Sequence, residues 1–504
     1  MPKLAYSKRG VVVSDHPYAT LAGLKMLEAG GNAFDACIAM SAVLGVVLPY
    51  TSGIGGDAFI LAKTRRGVEA LNSSGKYAEN LDESIYKKLL NEGMPERGPY
   101  TITVPGLVAA WQAVVERYCR MGVKELLRDA IKYASGGFPV SRSLYKAVEY
   151  CRESLSWSVG WRELYGGVRE GEPLTQRGMA RVLEAVASRG FDDFYLGETA
   201  SQMVKELRQQ NCPLTASDFE NHRAVWVNPL TISYAGYSVY ELPPNTQGIT
   251  ALQLVKLYEI AEKNGEDLQS PVNIARIAAL AYHDRNRYVA DPDRFDAPLD
   301  MLLSEEYLEQ RMGEQLLPQP PEIIHGDTTF LAAADEFGNT VGFIQSLYYP
   351  FGSGVVALGF PFQNRGFGFD TSQESPNRLE PGKRPRHTLS IMLAEKDDRR
   401  FCIGCAGADL RPQLHAYTLI ATLREALPLE TAVSRPRTLV VSDKAGIYLV
   451  REEQKKQQTV IDGIRIEGIE YPSPEVGIVN ALDIRGSYMK AVADPRSEGV
   501  PLPL

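Results

Sequence analysis

Cysteine, histidine and tryptophan are scarce in this chain of 504 residues, which contains six, six and four of them respectively. So few cysteines exclude a disulfide-dense secreted scaffold. Cys402 and Cys405 have the CxxC spacing, but no second pair and no histidine pair accompanies them, so we predict buried free thiols and not a zinc site. We therefore expect neither a metal nor a cofactor.

A basic excess is also absent, because 54 Lys and Arg residues stand against 62 Asp and Glu residues, for a net charge of −8. Proteins that bind nucleic acid usually carry the opposite balance, so no nucleic-acid partner is expected. The most apolar stretch, 36–50, is too short for a membrane span, and the N-terminus has no apolar run typical of a secretory signal. The sequence predicts a cytoplasmic protein without a membrane partner.

What is present is an ordinary globular composition, 44% hydrophobic and 23% charged, long enough for one large domain or two to three smaller ones. Hydrophobic periodicity predicts helices and strands in an α+β mixture with a boundary near residue 327. The predicted helices cover about 19–27, 33–48, 248–263 and 272–289, with a mostly helical region over 106–207. The predicted strands cover 59–62 and 68–71 as a hairpin, then 230–234, 237–242, 329–334, 340–347, 389–394 and 401–404.

The strongest local signal for chemistry is His325-Gly-Asp-Thr-Thr-Phe330, which follows a Pro-rich linker at Pro318–Pro321 and opens a predicted strand. A threonine at this position can act as a nucleophile if the preceding peptide bond is cut, because its own α-amine then serves as the base. An α-amine has a pKa of about 7.7–8.0, so part of it is neutral near pH 7. Taken alone, two threonines at the start of a strand are more often present for their β-propensity than for catalysis.

An ordered set of motifs over nearly the whole chain changes that balance. The set comprises GGNAFDAC from Gly30, GIGG from Gly53, VPG from Val104, FYLG from Phe194, LTASD from Leu214, PPNTQG from Pro243, Thr328-Thr329, DEFGN from Asp335, FGSG from Phe351, Arg384-Pro385 and the glycine loop 404–407. In this order it resembles the γ-glutamyltranspeptidase (glutathione hydrolase) family of N-terminal-nucleophile hydrolases, as a divergent member.

The resemblance implies a four-layer αββα sandwich, one large domain made as a precursor that cuts itself at Asp327–Thr328. Residues 1–327 would form the heavy segment and residues 328–504 the light segment, associated after cleavage, with a homo-oligomer possible. Thr328 would be the nucleophile, and Ser346 would replace a second threonine that orients it. The amides of Gly407 and Ala408 would stabilise the oxyanion.

The sequence departs from the family where glutathione-using members hold the zwitterionic end of the substrate. Gly75 occupies the position of the clamp arginine, with Lys76 beside it, and the stretch 363–369 contains no carboxylate, Gly368 taking the acidic position. We expect Gly75→Arg to restore the clamp where the backbone tolerates a side chain. Other changes are Tyr348 for an asparagine and His387-Thr388 for a serine pair. The candidate substrate-binding residues are therefore Gly75, Lys76, Tyr348, Arg365, His387 and Thr388.

Three functions stay open from the sequence. The first is γ-glutamyl hydrolysis or transfer on glutathione-like compounds, with a clamp rebuilt from Lys76, Arg365 or Arg386. The second is an acylase of the same superfamily that acts on another amide; Arg365 slightly favours an acyl group that carries a carboxylate. The third is an unprocessed, non-catalytic relative retained for binding.

Overall fold

The protein is described here from a computed structural model that covers residues 3–314 and 327–504. The predicted linker Pro318–Pro321 and the residues His325 and Gly326 lie outside the described residues, and Asp327 is described by its backbone alone.

The strands are β1 (Lys3–Ser7), β2 (Gly10–Ser14), β3 (Asp57–Thr64), β4 (Gly67–Ser73), β5 (Phe138–Pro139), β6 (Pro173–Leu174), β7 (Val225–Val227), β8 (Leu230–Tyr234), β9 (Tyr237–Glu241), β10 (Asp327–Asp335), β11 (Thr340–Tyr348), β12 (Val356–Ala357), β13 (Phe360–Pro361), β14 (Met392–Lys396), β15 (Arg399–Ala406), β16 (Thr438–Asp443), β17 (Gly446–Glu453), β18 (Gln458–Ile461), β19 (Ile464–Glu470), β20 (Ile478–Arg485), β21 (Tyr488–Ala493) and β22 (Val500–Pro503).

The helices are α1 (Pro17–Glu28), α2 (Ala33–Val47), α3 (Glu83–Glu92), α4 (Leu107–Arg117), α5 (Val123–Leu126), α6 (Arg128–Gly136), α7 (Arg142–Cys151), α8 (Val159–Tyr165), α9 (Arg177–Arg189), α10 (Asp192–Tyr195), α11 (Glu198–Gln209), α12 (Ala216–Glu220), α13 (Gly248–Lys263), α14 (Pro271–Tyr288), α15 (Leu299–Leu303), α16 (Glu305–Met312), α17 (Arg411–Leu423) and α18 (Leu429–Ser434).

Two seven-stranded sheets form the centre of the fold. One has the order β1-β21-β20-β15-β14-β9-β8 and the other β22-β2-β10-β11-β3-β4-β7. Their facing sides share one apolar core, in which Phe59, Phe330 and Ile344 of the second sheet meet Leu393 and Leu482 of the first. Each sheet contains strands from both sides of residue 327, so the two segments of the chain build a single domain.

Helices cover the outer face of each sheet. A large core joins α1, α2, α4, α6 and α9 to β2, β3, β10 and β11, while α13, α14 and α17 pack on β14, β15 and β20. All residues of α2 are buried, which fits its continuous apolar sequence, and Asn32 and Asp35 close its first turn as a capping box. The order helix, sheet, sheet, helix confirms the predicted αββα sandwich.

The predicted hairpin is confirmed as β3 and β4, and the long helices are confirmed as α13 and α14. One predicted strand, 389–394, begins only at Met392, because the backbone N–H of Leu389 donates to the His387 ring and not to a neighbouring strand. Cys402 and Cys405 are buried free thiols, as predicted. Among the described residues no helix is long and apolar enough to cross a membrane.

The close approach of the two sheets gives a test of the packing. Gly404 of β15 lies against the Phe330 ring of β10, and a methyl group at Gly404 would overlap that ring. We expect Gly404→Ala to lower the free energy of unfolding by about 1–3 kcal/mol, as overpacking of a core does, measured by chemical denaturation. Gly136→Ala, where the added methyl group meets open space at the end of α6, is the control and should be neutral or slightly stabilising. Equal effects of both changes would contradict the tight sheet packing.

Candidate active site

Thr328 lies at an irregularity in the pairing of β10 with β11. Asp327 pairs with Tyr348 and Thr329 with Gln345, so the single residue Thr328 stands opposite two residues of β11, Ser346 and Leu347. The regular alternation of a ladder is broken there, as in a β-bulge, which re-aims side chains. Thr328 is 4% exposed, so its hydroxyl lies in a buried and strongly structured setting.

Arg411, at the start of α17, holds the Thr328 hydroxyl. Its Nη2 donates to Thr328 Oγ1 at 3.1 Å, its Nε donates to the Cys405 carbonyl at 2.8 Å, and its Nη1 donates to the Thr388 carbonyl. Burial lowers the pKa of Arg411, while the charges of Glu241 and Asp409 act in the opposite direction. A planar guanidinium fixed at three nitrogens can therefore present a directed N–H to the hydroxyl oxygen.

Ser346 lies on β11 opposite the bulge that contains Thr328. It stands in the β11 register opposite Asp57 of β3, and its Oγ accepts a hydrogen bond from the backbone N–H of Tyr348 at 2.8 Å. Tyr348 has a φ of 81°, which turns the chain out of β11 beside the bulge. Ser346 thus occupies the place beside Thr328 that the sequence predicts for an orienting hydroxyl.

Gly407 and Ala408 form a tight turn directly after β15. Ala408 has a φ of 44°, in the left-handed region, and the Leu410 N–H donates to the Gly407 carbonyl at 2.8 Å. Gln247 holds this turn, since its Nε2 donates to the carbonyls of Ala408 and Thr388 at 2.9 Å each. One side-chain amide therefore fixes the predicted oxyanion turn relative to the Thr388 carbonyl, which Arg411 also binds.

Arg365 opens a short 3₁₀ turn, 365–368, and is fully buried. Its Nη1 donates to Thr388 Oγ1 at 3.1 Å, and its guanidinium lies over the Tyr348 ring, 4.0 Å from the ring centre. Its Nε and Nη2 have no hydrogen-bond partner among the described residues. Burial lowers the pKa of Arg365 to about 10, against the opposing effects of Tyr348 and Asp57.

Asp57 lies under the site as a fully buried carboxylate. Its Oδ1 accepts from the N–H groups of Gly75 and Gly106 at 3.1 Å each and from Gln363 Nε2 at 2.9 Å. Its Oδ2 lies 3.1 Å from His387 Nε2. Burial raises the pKa of Asp57 to about 6, while the Gln363 hydrogen bond and the Arg365 charge hold it down.

His387 has a different environment from the one expected of a substrate-binding residue. Its Nδ1 accepts from the Leu389 N–H at 3.2 Å, so the network assigns the proton to Nε2, which donates to Asp57. Burial lowers the pKa of His387 well below its usual value, so the ring is neutral. Both ring nitrogens bind protein groups, and this places His387 as a support under its neighbour Thr388.

Gly75 cannot carry the clamp side chain that the family comparison suggested. A Cβ at this position would overlap the Val104 carbonyl, so Gly75→Arg would displace backbone instead of restoring a clamp. The Lys76 ammonium lies 3.1 Å from Asp293 and lines a cavity of about 260 Å³ with His222 and Arg384. Among the described residues that line this cavity, none belongs to the Thr328, Ser346 and Ala408 cluster.

The structure therefore brings together Thr328, Ser346, Tyr348, Arg365, Thr388, Gly407 and Ala408 through direct contacts and shared partners. Sequence reasoning missed three residues that organise them: Asp57, Gln247 and Arg411. Gln247 stands inside the recognised PPNTQG motif and Arg411 four residues after the glycine loop, but their contacts join segments far apart in the chain. Asp57 carried no sequence signal beyond its position after the Gly53–Gly56 turn.

Comparison with known proteins agrees with this geometry. The family profile described as Gamma-glutamyltranspeptidase matches residues 19–504. The "Glutathione hydrolase-like YwrD proenzyme" of Bacillus subtilis (strain 168) is 32% identical, with 99% of each chain covered. The "Oxamate amidohydrolase proenzyme" of Klebsiella pneumoniae is also 32% identical, over 86% of this chain and 85% of that protein.

Among solved structures, the cephalosporin acylase from Bacillus halodurans superposes with a TM-score of 0.88 and 29% identity, covering 99% of this chain and 97% of that one. Fold, motif order and these relatives thus lead to one assignment. The chain belongs to the gamma-glutamyltranspeptidase family and is a hydrolase or acyltransferase of the N-terminal-nucleophile superfamily.

Proposed function

We propose that the protein cuts its own chain between Asp327 and Thr328 and then hydrolyses an amide with Thr328 as the N-terminal nucleophile. The observation that carries the proposal is the hydrogen bond from Arg411 to Thr328 Oγ1 at the bulge of β10. The segments 1–327 and 328–504 remain associated, because each central sheet contains strands of both.

In the cutting reaction, Thr328 Oγ adds to the carbonyl carbon of Asp327 and the C–N bond breaks, which moves the acyl group from nitrogen to oxygen. Water then hydrolyses the ester, leaving a carboxylate on Asp327 and a free α-amine on Thr328. The interrupted ladder supports this step. Asp327, which carries the scissile carbonyl, pairs with Tyr348, whereas the next residue, Thr328, is released from regular pairing.

In turnover, the free α-amine of Thr328 takes the hydroxyl proton while Oγ attacks the substrate carbonyl. The N–H groups of Gly407 and Ala408 stabilise the tetrahedral oxyanion, and the proton goes to the departing amine. The acyl ester on Thr328 is then transferred to water. Ser346 and Arg411 orient the nucleophile, and Gln247 keeps the oxyanion turn in place.

The described carboxylates of the site favour an acylase that acts on another amide over an enzyme that recognises γ-glutamyl compounds. A γ-glutamyl ammonium needs a carboxylate, but Asp57 is engaged by three N–H donors and His387, and Asp409 is paired with Arg285 at 2.9 Å. The relatives named oxamate amidohydrolase and cephalosporin acylase support an amide of another acid.

Mass measurement of the purified protein tests the cutting step. We expect two fragments, the second beginning at Thr328, and a single uncut chain for Thr328→Ala, because no hydroxyl remains to attack the carbonyl. Thr329→Ala is the matched control, since Thr329 is equally buried and its hydroxyl has no described partner; it should still be cut. A wild-type chain that stays whole, or a Thr328→Ala chain that is cut at the same bond, would refute the proposal.

The pH profile of turnover tests the α-amine and Arg411 together. Activity should rise as the ammonium of Thr328 loses its proton, with a midpoint below about 7.7, because burial and the Arg411 cation both favour the neutral amine. In Arg411→Met we expect kcat to fall about 10- to 100-fold, as loss of one charged hydrogen bond predicts, and the midpoint to rise.

Arg411→Lys should return the midpoint toward that of the wild type while recovering only part of kcat, since an ammonium cannot hold three anchors in one plane. Arg152→Met, at an exposed arginine paired with Glu149, is the control and should change neither quantity. An unchanged midpoint in Arg411→Met would limit Arg411 to a structural role, and a rate independent of pH from 5 to 9 would remove the amine from the mechanism.

A further inference from the structure

The guanidinium of Arg365 binds a protein group through one nitrogen, and two of its nitrogens have no hydrogen-bond partner among the described residues. Nη1 binds Thr388 Oγ1, whereas Nε and Nη2 have no partner among the described residues although the side chain is fully buried. In a guanidinium, Nε–H and Nη2–H lie side by side on one edge and point the same way, the arrangement that receives both oxygens of a carboxylate.

Resting on the proposed amidase function, we infer that this edge of Arg365 binds a carboxylate on the acyl part of the substrate. The substrate class is then the monoamides of short dicarboxylic acids. The amide carbonyl lies at Thr328, and the second carboxyl group lies side-on to Nε and Nη2 of Arg365.

A short chain of contacts links the Arg365 guanidinium to Thr328. Arg411 donates both to Thr328 Oγ1 and to the Thr388 carbonyl, and the Thr388 hydroxyl accepts from Arg365. On the other side, Arg365 stacks on Tyr348, the strand partner of Asp327. Each route from Arg365 to Thr328 passes through two intervening residues, Thr388 and Arg411 on one side and Tyr348 and Asp327 on the other, which suits an acyl chain of a few carbons.

The surrounding charges favour an anion. Asp409 raises the pKa of Tyr348, and the cations Arg365, Arg386 and Arg285 act on the same phenol in the opposite direction, after burial as the largest cause. Asp409 is paired with Arg285. Arg386 also has a buried Nη1 without a partner among the described residues. Three cations and one carboxylate, itself paired, are thus among the charges that act on Tyr348, while Asp57 and Asp370 act on Arg365 and Arg386.

Arg437 is a second buried arginine, and both of its Nη nitrogens donate to protein acceptors. Arg437 donates to the Asp494 carboxylate and to the carbonyls of Val433, Val476 and Gly477. Leaving a buried cation with open donors is unfavourable for the folded state. Arg311 also has Nε and Nη2 without a hydrogen-bond partner, but it is paired with the carboxylates of Asp284 and Glu314, whereas Arg365 has no ion pair among the described residues. A ligand that completes the hydrogen bonds of Arg365 accounts for this difference.

The test compares pairs of anilides whose acyl chains have the same length but end in a carboxylate or in a methyl group. The pairs are succinyl with butanoyl, glutaryl with pentanoyl, and adipyl with hexanoyl. The γ-glutamyl anilide is measured beside the glutaryl compound. We expect the anionic member of at least one pair to have a kcat/KM about 30-fold higher, equivalent to about 2 kcal/mol. The γ-glutamyl anilide should be no better than the glutaryl anilide, because its added ammonium enters a positively charged region. Neutral anilides that equal or exceed their anionic partners in all three pairs would overturn the inference.

Arg365→Met should bring each anionic and neutral pair within about threefold of each other while activity on the neutral anilides persists. Without substrate it should melt at the same or a higher temperature than the wild type, whereas Arg437→Met, which removes a fully paired cation, should melt lower. A preference for the anionic anilides that survives Arg365→Met would refute the inference.

Fragment analysis of the same samples separates this inference from the proposed function. Cutting and activity on neutral anilides concern Thr328, and the charge preference concerns Arg365. Cut, active protein without a charge preference refutes only the Arg365 assignment, whereas uncut and inactive wild-type protein refutes the proposed function itself.

Discussion

The Asp57 carboxylate is the contact on which the arrangement of the active site depends. It draws together the N–H groups of Gly75 and Gly106, the Gln363 amide and the His387 ring, while its own strand runs beside Ser346. Two of these partners adjoin site residues, since Arg365 follows Gln363 by two positions and Thr388 follows His387. An ionised group at this depth is unfavourable, which its raised pKa reflects, and only its four donors make it tolerable.

A second layer of contacts couples the nucleophile to the oxyanion turn. The Thr388 carbonyl accepts from both Gln247 and Arg411, Gln247 also holds the Ala408 carbonyl, and Arg411 also holds Thr328. The two groups that must act on one substrate carbonyl are therefore fixed against the same backbone atom. Such preorganisation lets hydrogen-bond donors stabilise developing charge without rearrangement.

The sequence predicted the layers of the fold well and the supporting contacts of the candidate site poorly. Local periodicity suffices for α13, α14 and the β3–β4 hairpin, and ordered motifs suffice for the neighbourhood of Thr328. Asp57 and Arg411 escaped because their partners lie 18 to 330 and 6 to 83 positions away in the chain. Gly75 shows the complementary failure: its place in the alignment suggested a missing arginine, whereas its packing against Val104 leaves no room for any side chain.

The same distribution of roles explains how one scaffold can change its substrate while keeping its chemistry. Thr328, Ser346 and the turn at Gly407 depend on backbone and on buried supports, whereas Arg365 meets the protein through one nitrogen and the Tyr348 ring. A residue held by so few contacts can be exchanged without disturbing the nucleophile. An unsatisfied guanidinium lowers the stability of the folded protein, and the proposed recognition of a substrate carboxylate accounts for its presence beside a paired neighbour such as Arg411.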